Sequence, residues 1–481
     1  MKNLIKILFI FCCTITTFAQ IPDELDTSFG TNGHVEHTVT PNNDLMGIFI
    51  HDSYKLPNGK ILAVGTANDG CGSVSGYYGI VIRFNVDGSI DTSFSQNGFY
   101  ITNSTHFRQI IVENNNSFYI KSSSSLLNID SNGSIITSFT TPNVLKVFLD
   151  SNNDFITINK IGSTYKIGKM SSNGSINNTF GDNGYYTVPS NFKINKITLD
   201  ESNNIYAVGY DNTDPNLEKL IVLKLNSNGL LDTTFATNGI YKFEAYTRSH
   251  GFFIQIDQQN RLLITGIRPG DYNYNRGLLM LRLDLDGSID TSFSGNGYFF
   301  KNIHSDSTPR KIHLTTNGEI YVTGQGFYRM YIAKFNENGF SDISFGTNGS
   351  ILTEYLSTTI YATSSIMYND NIILIGAKMF AHCNQSKYKA TLSKYLIDNN
   401  RLNTNETTLI NSTKIFPNPI KNKIVIQTES LHYKIKLFDA LGKRINVNVN
   451  NDIIDARSLN SGVYYLHITS NLNTKIVKLI K

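Results

Sequence analysis

Tryptophan is absent from this 481-residue chain, proline occurs 10 times, cysteine 4 times, and charged residues make up only 17%. Each scarcity excludes something. Four cysteines cannot make a disulfide-dense mini-scaffold, and ten prolines with 36 glycines fit neither collagen nor a polyproline linker protein. The shortage of charge excludes a disordered polyelectrolyte. No stretch reaches about 18 consecutive apolar residues, so no transmembrane helix is expected. Net charge is +4, too little to point to nucleic acid. Its distribution says more: Ser412 to Lys481 holds 11 Lys/Arg against 4 Asp/Glu, and Lys2 and Lys6 lie at the start, which leaves the middle at −5. In place of charge the chain has Tyr (26), Phe (29) and many Ser, Thr and Asn, a profile of β-strands joined by many turns.

The first twenty residues, MKNLIKILFIFCCTITTFAQ, combine a basic start at Lys2 and Lys6, an apolar run from Ile7 to Cys13 and a small-x-small site at Thr17-Phe18-Ala19. This order describes a signal peptide, residues 1–19, cleaved after Ala19. Phe11 stands before Cys12 where lipid attachment would want a small residue. Export leaves two cysteines, Cys71 and Cys383, in a compartment where a disulfide is permitted.

A repeat organises the chain from residue 20 to 401. LDTSFGTNG at Leu25 to Gly33 returns as IDTSFSQNG, INNTFGDNG, LDTTFATNG, IDTSFSGNG and FSDISFGTNG, with a worn copy, IITSF, at Ile135 to Phe139. The marker phenylalanines Phe29, Phe94, Phe139, Phe180, Phe235, Phe293 and Phe345 recur about every 53 residues. Between markers lie an alternating run ending in a turn (YKLPNG, IHLTTNG), a β-branched run ending in Gly (KILAVG, NIYAVG, EIYVTG) and a third run such as GIVIRFNVDG. The marker leads into a fourth. Four short strands per period describe a propeller blade.

The first marker has no strands before it, and the last three-strand group, ending at LSKYLIDNN, has no marker after it. Gly33 to Val39 should therefore supply the outer strand of the last blade, leaving no open edge at the seam. The expected fold is all-β: a seven-bladed β-propeller followed by a small antiparallel β-sandwich. Six blades is the alternative, because Thr140-Thr141-Pro142 leaves almost no room for an outer strand in the second blade. This register sets Cys71 and Cys383 in equivalent loops of neighbouring blades. A disulfide there, worth about 4 kcal/mol or less, stands open beside two free thiols.

The marker resembles the delta-60 repeat of bacterial exported proteins, over about Leu25 to Asn400. That resemblance implies a β-propeller and no assigned activity.

After a polar linker, residues 402–414, the pattern changes. Alternating strands separated by Asn-Pro, Leu-Gly and Ser-Gly turns fill residues 415–481. This segment resembles the type A C-terminal sorting domain of the type IX secretion system of Bacteroidetes. The match lies in Phe416-Pro417-Asn418-Pro419, in Leu437-Phe438-Asp439 with Leu441-Gly442-Lys443, in Leu459 to Tyr465 with Gly462 and Tyr464, and in the basic end at Lys478 and Lys481. It implies an Ig-like sandwich, the type IX secretion machinery as partner, and a protein secreted or attached to the outer-membrane surface.

Chemistry is harder to find. Walker, H-E-x-x-H, C-x-x-C and G-x-S-x-G patterns are missing, so no catalytic residue, cofactor or metal is expected. Asp284, Asp286 and Asp290 could suggest a calcium loop, but equivalent copies carry Asn, and an Asx turn explains them better. The marker aspartates are expected to cap a repeated corner and the marker phenylalanines to wedge between blades. Markers and short Asn-Gly turns share one face of the ring. The other face takes the variable loops and the crossovers, with His34, His37, His106, Arg108, Tyr210, Tyr246, Arg248, His250, Arg268, Tyr272, Tyr274, His304, Arg310 and His382. That face is the expected ligand-binding surface. The expected function is a non-catalytic binding scaffold for an extracellular glycan or protein. An extracellular polysaccharide hydrolase or lyase on the same scaffold is the alternative, with loop His, Tyr and Asp as acid and base.

Overall fold

A computed structural model describes residues 25–39, 47–68, 76–103, 105–114, 117–268, 276–304, 306–353, 360–368, 371–382, 385–397, 414–427, 433–440, 443–447, 449–450, 453–470 and 474–481. The expected signal peptide, Cys71, Cys383, Tyr272, Tyr274 and Gly442 lie outside the described residues. The chain divides into two compact units, Met1–Ile397 and Asp398–Lys481.

Among the described residues, the first unit consists of seven four-stranded antiparallel sheets and one turn of 3-10 helix, Phe293–Gly295. Sheet 1 runs Gly47–Lys55, Ile61–Asn68, Tyr77–Phe84, Phe99–Asn103, and sheets 2 to 6 repeat that order. Sheet 7 joins Ile360–Met367, Asn371–His382 and Gln385–Leu396 to His34–His37 from the chain's beginning. The seam is thus an antiparallel pairing of residues His34 to His37 with Ser393 to Ala390.

Packing explains why second and third strands are apolar at nearly every position. Ile61 and Ala63 face sheet 7, while Leu62 and Val64, on the other side of the same strand, face sheet 2. A strand covered on both faces cannot alternate apolar with polar. Seven apolar clusters result, one between each pair of neighbouring sheets, including the pair 7 and 1. The ring is closed.

The repeated marker builds one corner several times. Oδ1 of Asp26, Asp91, Asp232, Asp290 and Asp342 accepts the backbone N–H and hydroxyl of the Ser or Thr two residues on. Oδ2 pairs with a base on the third strand of the sheet: Lys394, Arg83, Lys224, Arg282 and Lys334 respectively, at 2.5–3.1 Å. The marker Phe is buried and lies against the turn glycine of the next sheet. A Cβ on Gly88 would stand 2.5 Å from the Phe29 ring, and one on Gly229 2.6 Å from Phe180. The corner's final Asn-Gly needs positive φ, as at Asn238 (51°) and Gly239 (87°). Asp286 forms an Asx turn with Ser288.

Two expectations are corrected. Sheet 2 does have an outer strand, Ile135–Thr140, and it is made from the worn marker itself. Without an Asp to form the corner, IITSF extends as a strand, and Phe139 still wedges against Gly174 of sheet 3. His34 and His37 do not belong to the variable face. His37 Nε2 lies 2.8 Å from the carbonyl of Gly88, in a marker-side turn, and His34 Nδ1 2.8 Å from Ser393 Oγ.

One feature has no counterpart in the repeat pattern. All seven inner strands carry a β-bulge at the same level, at His51, Arg108, Leu145, Asn195, Phe252, Arg310 and Thr363. A bulge bends the strand and aims an extra side chain, here on the edge nearest the axis.

The second unit is two four-stranded sheets, one around Lys423–Gln427 and Ile453–Asp455, the other around Tyr433–Asp439, Val463–Ser470 and Thr474–Ile480. They enclose Ile424, Ile426, Leu437, Ile454, Leu466 and Leu479. The sorting motif's residues have structural work here. Asn418 donates its amide to the carbonyl of Lys478 (3.0 Å) and accepts from the N–H of Ile480 (3.0 Å). Tyr464 Oη donates to the carbonyl of Asn460 (2.8 Å), and Gly462 exchanges backbone bonds with Lys481. The bonds before Pro417 and Pro419 are cis.

Candidate functional site

On the variable face the crossover from sheet 4 to sheet 5 is held by Ser249, which is fully buried. Its N–H donates to the carbonyl of Glu218 (2.8 Å), and its hydroxyl accepts from the N–H of Leu220 (2.9 Å). This fastening brings two groups of expected site residues together.

In the first group Tyr210 and His250 stack, with ring centroids 4.0 Å apart and 17° between planes. Glu218 Oε2 receives His250 Nε2 (2.8 Å) and Arg248 Nη2 (2.7 Å), and the Lys193 ammonium lies 5.1 Å over the Tyr210 ring. Burial pushes the His250 pKa down, against the opposing pull of Glu218. Burial also favours a neutral Glu218, but its bonds from Arg248 and His250 outweigh that and hold it ionised. In the second group the Arg268 guanidinium lies over both Tyr246 (4.6 Å) and Phe300 (5.3 Å), and Tyr298 meets Tyr246 edge-on. These are cation–π contacts, which fix the guanidinium beside the aromatic rings.

The other expected residues are placed separately. His106 Nδ1 is 3.0 Å from Thr66 Oγ1, which is also 3.0 Å from His51 Nε2, and Tyr77 tilts over His106 at 5.3 Å. Burial, with Arg108 and His106 nearby, pushes the His51 pKa down to about 4, so it is neutral at physiological pH. His304 lies in the crossover to sheet 6, bonded through its backbone to Ser307. His382 ends a strand of sheet 7, and its side chain lies outside the described residues.

Sequence reasoning missed Glu218, Lys193 and Phe300. Glu218 closes the loop after the second strand of sheet 4, and only the fold shows that it faces His250. Reasoning from the loops also missed the ring's axis. A cavity of about 710 Å³ opens there on the marker side, lined by the inner strands of sheets 1 to 5 and including Gln109, Lys196 and Gln255. Among the described residues there is no group of three His, Cys, Asp or Glu side chains placed to hold a metal.

A closed ring of four-stranded sheets, with the same corner rebuilt at most of its junctions, defines a β-propeller. Residues 56–94 and 260–293 match the domain of unknown function DUF5122 beta-propeller, the same repeat that the delta-60 resemblance concerns. Residues 414–481 match the secretion system C-terminal sorting domain. The chain is thus a propeller that carries stretches of this repeat, followed by a type IX sorting tail. It is a cargo of that machinery, secreted or attached to the outer-membrane surface. Among the described residues no helix is long and apolar enough to cross a membrane.

Several solved structures are distantly similar. A protein of unknown function from Bacteroides caccae is 10% identical, with a TM-score of 0.31, over 57% of this chain and 95% of its own. The GH93 α-L-arabinofuranosidase of Fusarium graminearum is 11% identical, TM-score 0.35, over 75% and 97%. The Nup133 β-propeller domain of Vanderwaltozyma polyspora is 12% identical, TM-score 0.33, over 74% and 100%. A search of curated proteins finds no match.

Proposed function

We propose that this protein is a non-catalytic binding scaffold at the bacterial surface, whose variable face engages an extracellular glycan or protein. The observation that carries the reading is the crossover fastened by Ser249, with an aromatic–cation group on either side of it: Tyr210, His250 and Arg248, then Tyr246, Arg268 and Phe300. Flat aromatic faces beside fixed cations suit the ring faces and acidic groups of a sugar chain or the side chains of a protein. Glu218 is committed to two donors, which makes it an anchor for the group.

The Glu218–His250 hydrogen bond also favours a second reading, an extracellular polysaccharide hydrolase or lyase with His250 as the base that Glu218 orients. One experiment separates the two. The full chain is assayed for binding and turnover against polysaccharides and extracellular-matrix proteins, with and without calcium. Saturable binding that weakens at least tenfold in Tyr246→Ala and His250→Ala, with no product released, is expected. Product that disappears in His250→Ala selects the enzyme. Binding that survives both substitutions removes the variable face as the site.

A further inference from the structure

The propeller's axis is cationic in a molecule whose propeller segment is net acidic. The seven inner strands hold seven Lys/Arg against two carboxylates, Asp52 and Glu113. Three of the lysines, Lys146, Lys196 and Lys311, stand directly after a bulge, on sheets 3, 4 and 6. Asp52, directly after the bulge of sheet 1, interacts with all three. That carboxylate is already occupied by the N–H groups of Ser53 (2.8 Å) and Ile110 (3.0 Å).

The residues after the bulges clasp neighbouring sheets. Gln109 bonds both backbone groups of Val147, Lys146 donates to the carbonyl of Asn195 (2.6 Å), and Lys311 donates to that of Ser365 (3.0 Å). Lys196 breaks the pattern. Among the described residues its ammonium has no hydrogen-bond or ion-pair partner and lies only over the Phe148 ring, at 4.9 Å. It lines the axial cavity of about 710 Å³. Asp150 and Asp200 on that cavity's wall are already bonded, to Lys169 and to the turn at Asn204. Desolvation pushes these ammonium pKa values down against the pull of Asp52, with a neighbouring lysine adding to it at Lys146 and Lys196; that of Lys146 falls to about 8, which still leaves it charged at pH 7. A half-buried ammonium with no carboxylate in hydrogen-bond or ion-pair contact is a cost that a bound anion relieves.

We propose that the axial cavity is an oxyanion site, in which Lys196, backed by Lys146 and Lys311, holds a carboxylate, sulfate or phosphate group of a ligand. This site lies apart from the variable face and does not depend on it. Either surface can fail its test alone.

The test titrates the full chain with inorganic phosphate, sulfate and acetate against sodium chloride of equal ionic strength at pH 7, by calorimetry and thermal shift. At least one oxyanion should bind saturably. Its affinity should fall at least tenfold in Lys196→Met, stay within about threefold in Lys196→Arg, and be unchanged in Tyr246→Ala. The arm that binds tightest identifies the kind of oxyanion. If all three behave like chloride, or if Lys196→Met binds like the wild type, the proposal is overturned. Should Lys196→Met fail to fold, acetylation of wild-type protein reads the same question by mass spectrometry. The oxyanion should shield Lys196 from acetic anhydride, and equal labelling with and without it overturns the site.

Discussion

The corner that repeats around the ring should reveal itself energetically by what each basic partner keeps when its aspartate is lost. Arg282 is 1% exposed. Its Nε donates to Asp290 Oδ2 (2.7 Å), Nη1 to the carbonyl of Glu337 (2.5 Å) and Nη2 to Ser292 Oγ (3.1 Å), and its plane lies over Phe293. Asp290 is also 3.5 Å from Arg261, whose other acid is Asp257. Asp290→Ala thus leaves a buried guanidinium with neutral acceptors only, and removing one member of such a pair costs about 3–5 kcal/mol. Lys334 is nearly as buried, but it holds both Asp342 (3.0 Å) and Glu319 (2.9 Å). Asp342→Ala leaves that cation a carboxylate, so its cost should be only about 1–2 kcal/mol. In a propeller of this size those losses correspond to drops in Tm of about 5 °C and about 2 °C. The assay is paired thermal and urea denaturation followed by circular dichroism. Asp290→Ala with Arg282→Met should recover part of the loss, because the orphaned charge is gone. Equal losses in the two single variants, or no recovery in the double variant, would refute the argument.

Acid should act through the same kind of group. Burial alone would raise the pKa of Asp211, but bonds from Thr213, Asn191 and Lys242 outweigh it and bring the value to about 2, below the ordinary 3.8. A carboxylate lowered on folding stabilises the protein above pH 4 and loses that effect as pH falls toward 2. Asp211→Asn should therefore cost about 2 kcal/mol at pH 7 and progressively less at pH 4 and 3, read from urea midpoints; a gap that widens on acidification contradicts this. In the sorting tail, Asn418→Ala removes both bonds to the last strand, so the C-terminal peptide should become more protease-sensitive and surface delivery in cells should fall; unchanged delivery would show that these bonds are dispensable to sorting.

Much of the fold could be read from local chemistry. Asx capping, positive-φ Asn-Gly and runs buried on both faces are short-range requirements, and each leaves its mark within ten residues. The seam was legible for the same reason, since a marker without strands and strands without a marker can only complete each other. The bulges left no such mark. His51, Leu145, Phe252 and Thr363 share no chemistry, so no residue type marks the shift. The candidate site was half legible: Tyr210, His250, Tyr246 and Arg268 were placed by topology, whereas Glu218 and Phe300 joined them through contacts between loops that no spacing encodes. Lys196 was passed over because a lone lysine in an alternating strand looks like any solvated one.

The pairing of His34–His37 with the strand Gln385–Leu396 also sets an order of events for a chain that must be exported before it functions. His34 and Ser393 touch across 359 positions of sequence. Leu25 and Tyr395 pair across an even longer span; these contacts together cover the outer edge of the strand Gln385–Leu396, and contacts of that span form late. Until the final sheet has emerged, the opening strand has nothing to pair with, and a propeller lacking either strand leaves the other without its partner. Completeness of the polypeptide is thereby converted into protection from association and proteolysis. A copy that lacks either partner strand leaves the ring open at the seam.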